Sequence, residues 1–119
     1  MDNLSPKVQN QLAMLQQIQQ QLQTVVGQKS QYEMAIKEAN RALEELEDVP
    51  EESEIFMTVG SVIVQKDREK VRSTLNDKVE TLEIRVTSLE KQEQSLKSKF
   101  EQLSQQIRGA LEKKPSGAA

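Results

Sequence analysis

Apolar residues recur at helical spacing in two long stretches of the chain. In the first stretch the intervals between them are three, four or seven residues, apart from one of ten between Val26 and Ile36, and such spacing is typical of a helix that buries one face. Ser5 is suited to cap this helix, with Pro6 at its first position, and Pro50 ends it. We therefore predict a helix over residues 5–48. Its apolar positions are Val8, Leu12, Leu15, Leu22, Val26, Ile36, Leu43 and Leu46.

The second stretch has a more regular repeat. From Val79 onward the intervals alternate between three and four over four heptads, with Glu93 in the one polar position. Heptad spacing of this length predicts a coiled-coil seam. With Asp67 as N-cap, we predict a helix over residues 67–113 and a disordered tail at 114–119. The apolar positions are Val71, Leu75, Val79, Leu82, Val86, Leu89, Leu96, Phe100, Leu103 and Ile107.

The block between the helices is rich in β-branched residues, with Gly60-Ser61 at its middle. This pattern predicts a β-hairpin over residues 54–66 with a tight turn. An isolated two-stranded hairpin is marginal in water, and apolar side chains fall on both of its faces, so we expect further strands beside it. The alternative is a local cap that only joins two helices. The predicted buried set is Ile55, Phe56, Val59, Val62, Ile63 and Val64.

A connector this short allows the second helix to return antiparallel to the first. Facing positions in such a pair have residue numbers with a constant sum, and a sum of 115 places five apolar pairs opposite each other. Polar residues then enter the seam at Gln19, Lys29 and Glu93. The five pairs are Val8 with Ile107, Leu12 with Leu103, Leu15 with Phe100, Val26 with Leu89, and Ile36 with Val79.

Charge supports the same direction. Acidic residues gather at the end of the first helix and basic residues at the start of the second, so antiparallel pairing brings the clusters together. Exposed ion pairs contribute only about 0–1 kcal/mol each, so they select orientation more than stability. The acidic cluster is Glu44, Glu45, Glu47 and Asp48, and the basic cluster is Lys66, Arg68, Lys70 and Arg72.

Composition excludes several kinds of chemistry. The 119 residues are 35% apolar and 3% aromatic, and they include no His and no Cys, so zinc sites, thiol nucleophiles and imidazole catalysis are impossible. No Gly-rich phosphate loop occurs, and we expect no enzyme activity, cofactor or metal. A net charge of −3 argues against nucleic acid. No apolar run predicts a membrane span and no signal peptide opens the chain, so we expect a cytoplasmic protein.

Particular segments carry a family resemblance. The block Ile55–Val64 is followed by Asp67–Val71, and Glu80–Arg85 is followed by Leu89–Glu93. With the Gln-rich first helix and the order helix, hairpin, helix, these segments resemble the β class of prefoldin subunits, of the archaeal type, over nearly the whole chain. The α class has two hairpins between its helices, and this chain has room for one. The departures are minor: Phe56-Met57 stands where the family often has Tyr and a basic residue.

The resemblance implies a specific function. Prefoldin is a hexamer of two α-class and four β-class subunits, whose hairpins form a double β-barrel platform. The coiled-coil tips hold unfolded polypeptides and deliver them to a group II chaperonin, and prefoldin itself uses no nucleotide. The expected fold is thus mainly α: a long antiparallel two-helix coiled coil connected by one β-hairpin that joins an oligomeric β-barrel, as a single domain over residues 1–119.

Two sets of candidate interaction residues follow. The hairpin set, for assembly, is Ile55, Phe56, Val59, Gly60, Val62, Ile63 and Val64. The tip set, for client binding, is Leu4, Val8, Leu12, Leu15, Phe100, Leu103, Ile107 and Leu111. Most of the tip residues also suit an ordinary seam, and both interpretations hold because helix ends fray. Each gripped side chain contributes about 1.5–3 kcal/mol when fully buried, and several weak grips raise avidity.

The sequence gives less support to two other functions. A structural coiled-coil adaptor that recognises one folded partner would share the heptads, but it needs only a turn where this chain has an apolar hairpin. A helix that lies on a membrane surface is disfavoured because neither helix carries a basic polar face.

Overall fold

Two long helices and one hairpin make up the described part of the chain. The computed structural model describes residues 4–112, so the predicted tail at 114–119 lies outside the described residues. The elements are α1 (Pro6–Asp48), β1 (Ile55–Val59), β2 (Val62–Lys66) and α2 (Arg68–Glu112). The prediction of a mainly α chain with a single two-stranded hairpin is confirmed.

Local hydrogen bonds account for where the helices start. The Ser5 Oγ accepts a hydrogen bond from the Val8 amide at 3.2 Å, so Ser5 caps α1 as predicted. Asp67 directly precedes α2, and its carbonyl accepts from the Val71 amide at 3.0 Å. At its other end α1 stops at Asp48, two residues before Pro50, because proline cannot donate the hydrogen bond that would continue the helix.

The hairpin turns at Gly60-Ser61, between the paired residues Val59 and Val62. Gly60 has a φ of 61°, and no other described residue has a positive φ, which is typical of a type II′ turn with glycine at its first central position. Paired residues share a face of an antiparallel sheet. The face we call face A carries Ile55, Met57, Val59, Val62, Val64 and Lys66, and face B carries Phe56, Thr58, Ile63 and Gln65.

Contacts divide the chain into two compact units. The terminal unit comprises residues 1–28 and 89–119, and the hairpin unit comprises residues 29–88. The buried side chains of the terminal unit are Val8, Val25, Leu89, Leu103 and Ile107. Those of the hairpin unit are Ala39, Leu46, Val71 and Leu82. Each unit therefore has a thin seam of apolar residues rather than a wide core.

Within the terminal unit, the predicted seam of α1 is partly wrong. Val26 is 42% exposed whereas Val25 is 7% exposed, so the proposed pair of Val26 with Leu89 does not form. Gln19 is exposed too, and Ile18 takes its place. Val25 and Ile18 are preferred because steps that alternate between three and four residues keep the seam positions on one face of the helix. The buried and half-buried positions that follow these steps are Val8, Gln11, Leu15, Ile18, Leu22 and Val25, and Leu12 beside Gln11 is half-buried as well.

Within the hairpin unit, α1 and α2 run antiparallel. Tyr32 contacts Arg85, and Glu47 contacts Arg72, which requires opposite directions. These residue numbers add to 117 and 119 rather than to the predicted 115. Arginine side chains reach across about one turn of a helix, and Arg68 of the same unit contacts Leu46, whose numbers add to 114, so the sum of 115 stays a prediction. Several registers bring apolar positions opposite one another because both seams repeat in heptads.

Candidate interaction surfaces

Face A of the hairpin is apolar along most of its length. Near the base Ile55 and Met57 are half-buried, and Met57 lies beside Lys66 at the end of β2 and beside Lys70 and Val71 at the start of α2. Toward the turn the side chains open to solvent: Val59 is 52% exposed and Val62 is 57% exposed. Only the base of face A is therefore packed against the helices of its own unit.

Face B is more open. Phe56 is 55% exposed and Ile63 is 70% exposed, and their positions in the ladder make them diagonal neighbours. Five of the six hairpin residues predicted to be buried are therefore exposed in the single chain, and only Ile55 is half-buried. The physical reason is that the sheet has two strands, so the side chains beyond its base have nothing of this chain to pack against. Exposed apolar clusters with open strand edges are typical of an interface.

Two arginines of α2 bind the end of α1 in different ways. The Arg72 guanidinium forms an ion pair with Glu47, with a 2.8 Å distance between Nη2 and Oε1, and another with Glu69. These carboxylates, Glu69 first, raise the pKa of Arg72 above its usual value. Arg68 instead donates to backbone carbonyls of the chain that leaves α1. Sequence reasoning placed both residues near the acidic cluster but did not foresee the backbone contacts.

The tip residues are mostly closed inside the terminal unit. Of the eight predicted there, Val8, Leu103 and Ile107 are buried, and only Leu111, at 46%, is largely exposed. The other four are half-buried: Leu4, Leu12, Leu15 and Phe100. Most of these side chains thus occupy the seam of the closed pair, and Leu111 is the member of the set that solvent reaches most freely.

A shallow apolar groove joins some of these residues. Leu15 of α1 and Ile107 and Leu111 of α2 line a groove of about 420 Å³. Ser104, Arg108 and Glu112 lie around it. The structure therefore places three of the eight predicted tip residues around one groove of the closed pair, where Leu111 is exposed, Leu15 is half-buried and Ile107 is buried.

The seam near the tip also contains a defect. The Gln11 Oε1 is buried and accepts no hydrogen bond from the protein. A buried acceptor left without a partner costs about 1–3 kcal/mol. Sequence reasoning missed this residue because Leu12, the next residue, fitted the apolar pattern better. Gln11 lies three residues after Val8 and four before Leu15, so the alternation of steps is the signal that points to it.

The Gln-rich part of α1 borders an open groove. Several of its glutamines line this groove of about 730 Å³, together with residues of α2. The glutamines of α1 in this groove are Gln17, Gln20, Gln21 and Gln28. Polar side chains there offer hydrogen bonds but little apolar area to a bound chain.

Residues 4–112 hold no group of three or more His, Cys, Asp or Glu side chains placed to bind a metal ion. Within the same residues, neither helix has a stretch of the length and hydropathy needed to cross a bilayer.

Comparisons with known proteins agree with this arrangement. A family model described as a prefoldin subunit matches residues 9–114. The prefoldin subunit beta of Methanoculleus marisnigri is 65% identical over 100% of both chains. That of Methanospirillum hungatei is 54% identical over 94% of this chain and 93% of the relative. The crystal structure of the prefoldin beta subunit from Thermococcus strain KS-1 is 42% identical, covering 93% of this chain and 97% of that chain with a TM-score of 0.85.

Proposed function

The chain belongs to the prefoldin subunit family, in its beta class, and is thus a chaperone subunit; from that premise we propose that it captures unfolded polypeptides at its tip and delivers them to a group II chaperonin in the cytoplasm. The observation that carries the capture step is the apolar groove of Leu15, Ile107 and Leu111. Its accessible side chains are apolar and unspecific in shape, which suits clients that share only exposed hydrophobic segments.

Capture has two sources of apolar surface. Leu111 is accessible in the closed pair, and opening of the helix ends adds the buried Val8, Leu103 and Ile107. The unpartnered Gln11 Oε1 lowers the cost of that opening, because the open state allows water to reach it. Each client side chain that becomes fully buried contributes about 1.5–3 kcal/mol, so one tip binds weakly and several together bind firmly.

Several tips require several subunits. We propose that the hairpin joins hairpins of α-class subunits and of other copies of this chain in a hexamer of two α and four β subunits. The exposed Phe56, Val62 and Ile63 support this, because they leave apolar area on both faces of a two-stranded sheet. Further strands beside β1 and β2 would cover that area and form a barrel.

The experiment that tests this function has two steps. First, co-expression with the α-class subunit should give a complex of two plus four subunits by light scattering, and a stable complex that excludes the α-class chain would favour an adaptor. Second, the complex should suppress aggregation of a denatured test protein without nucleotide. Leu111→Ser should weaken that suppression.

Ile84→Ser is the matched control for the second step. Ile84 is 65% exposed on α2, more than Leu111, but it lies in the hairpin unit and outside the groove. We expect this variant to retain the suppression of the unaltered complex. Equal suppression by the Leu111 variant, or an equal loss in the Ile84 variant, would contradict capture at the groove.

A further inference from the structure

The end of α1 lacks a cation of its own. Its last turn contains no basic residue and is instead acidic, with Glu45, Glu47 and Asp48. The last carbonyls of a helix have no partner within the helix, and the helix dipole makes this end negative. The local sequence therefore adds charge of the unfavourable sign where a donor and a cation are needed.

Arg68 supplies both from a distant position in the chain. Its Nη1 donates to the Leu46 carbonyl at 2.8 Å. Its Nη2 donates to the carbonyls of Val49 at 2.7 Å and Pro50 at 2.6 Å. The Arg68 side chain is partly shielded from solvent. One guanidinium thus binds three backbone carbonyls, one in the last turn of α1 and two just beyond its end.

These contacts lie at the base of the hairpin. The first pair of the β ladder is Ile55 with Lys66, and Arg68 follows two residues after Lys66. The Pro50 carbonyl also accepts from the Ser53 amide at 3.0 Å, in the turn that leads into β1. Arg68 therefore joins the segment that enters β1 to the segment that leaves β2 just outside the Ile55–Lys66 pair, where the two segments would otherwise separate.

We propose that Arg68 is a positioning residue for assembly: it fixes the direction in which the sheet leaves the helices of the hairpin unit, so that faces A and B are presented in one orientation. This inference rests on the proposed assembly through the hairpin. A sheet with a fixed direction loses less conformational freedom when it binds neighbouring strands, and association is correspondingly tighter.

The role depends on the shape of the guanidinium rather than on its charge. Arginine presents five donors in a planar fork, whereas the lysine ammonium is a point charge on a flexible stem. Arg68→Lys thus keeps the cation near the acidic end of α1 and removes the three-carbonyl geometry. Arg72→Lys is the matched control, because Arg72 lies four residues on and contacts only carboxylates.

The test measures folding and assembly separately. Helicity and the melting temperature are measured on the isolated chain by circular dichroism, and amide exchange is measured over residues 49–57. Assembly with the α-class subunit is measured by light scattering over a range of concentrations. For Arg68→Lys we expect unchanged helicity and faster amide exchange over residues 49–57. We also expect the subunit concentration at half-assembly to rise about tenfold, because charged hydrogen bonds are lost. For Arg72→Lys we expect a change within about twofold.

The outcomes separate this inference from the proposed function. Assembly of Arg68→Lys at the concentration of the unaltered chain would overturn the positioning role. A loss of helicity that accounts for the whole loss of assembly would overturn it too, because Arg68 would then only support the fold. Failure of the unaltered chain to assemble would contradict the proposed function, while unchanged exchange over residues 49–57 in Arg68→Lys would reject the positioning role by itself.

Discussion

Ile63 offers the sharpest test of assembly through the hairpin. It is 70% exposed on face B, and Ile84, on the outer side of α2, is 65% exposed. Full burial of an isoleucine contributes about 1.5–3 kcal/mol, so covering the exposed part of Ile63 contributes roughly 1–2 kcal/mol per copy. Ile63→Ala removes most of that gain, which is a factor of about 5–30 in each association constant. Ile63→Asp adds a buried charge that costs several kcal/mol more.

The assay is the mass of the complex formed on co-expression with the α-class subunit, measured by light scattering. We expect Ile63→Ala to raise the concentration needed for assembly and Ile63→Asp to leave unassembled subunits. Ile84→Asp makes the same chemical change at an equally exposed isoleucine and should assemble as the unaltered chain does. A full-size complex with Ile63→Asp, or disruption by both Asp variants, would refute the assignment of face B to the interface.

Three further predictions concern single residues. Gln11→Leu should raise the free energy of unfolding by about 1–3 kcal/mol in chemical denaturation because it removes an unpartnered buried acceptor, whereas Gln16→Leu, at an exposed position of the same helix, should not. Gly60→Ala should destabilise the hairpin by about 1–2 kcal/mol and speed its amide exchange, because the φ of 61° is unfavourable for alanine. Steric clash is not the cause, since the added Cβ would meet nothing within 4 Å. Gly27→Ala, in the interior of α1 with equally free space, should stabilise the protein by about 0.5–1 kcal/mol. Because folding raises the pKa of Arg72, the stability from its ion pairs is fully present below the pKa of Arg72 in the unfolded chain and is lost only as pH rises through its pKa in the folded chain. Arg72→Gln should therefore leave the pH dependence of the melting temperature near neutrality unchanged and reduce the dependence of that temperature on salt. A new transition near neutral pH would contradict this.

The sequence was sufficient where structure depends on neighbours along the chain. Ser5 capped the helix, Pro50 marked its end, and Gly60-Ser61 located the turn. Each of these follows from the backbone preferences of one or two residues. The same local logic identified β1 and β2, because a run of β-branched residues around a glycine has few other solutions.

The sequence was insufficient where structure depends on residues that meet in space. Val25 and Val26 are both apolar and adjacent, so composition alone could not choose between them; the alternation of steps around the helix decided for Val25. The contact of Arg68 with Leu46 joins residues 22 positions apart and involves a backbone carbonyl, which no side-chain pattern reveals. Burial of the tip residues depends on the facing helix in the same way.

The two units differ in how their polar groups are satisfied, and this difference bears on function. In the hairpin unit, Arg68 gives three carbonyls a charged donor at the base of the sheet, so the segment that we propose as an interface is held in place. In the terminal unit, the Gln11 Oε1 is buried with no donor, so the seam that we propose opens to grip a client is weakened there. A substitution that satisfied Gln11 would stabilise the isolated chain and yet reduce capture, because the same contact would oppose opening. Stability and chaperone activity should therefore change in opposite directions at the tip and in the same direction at the hairpin base.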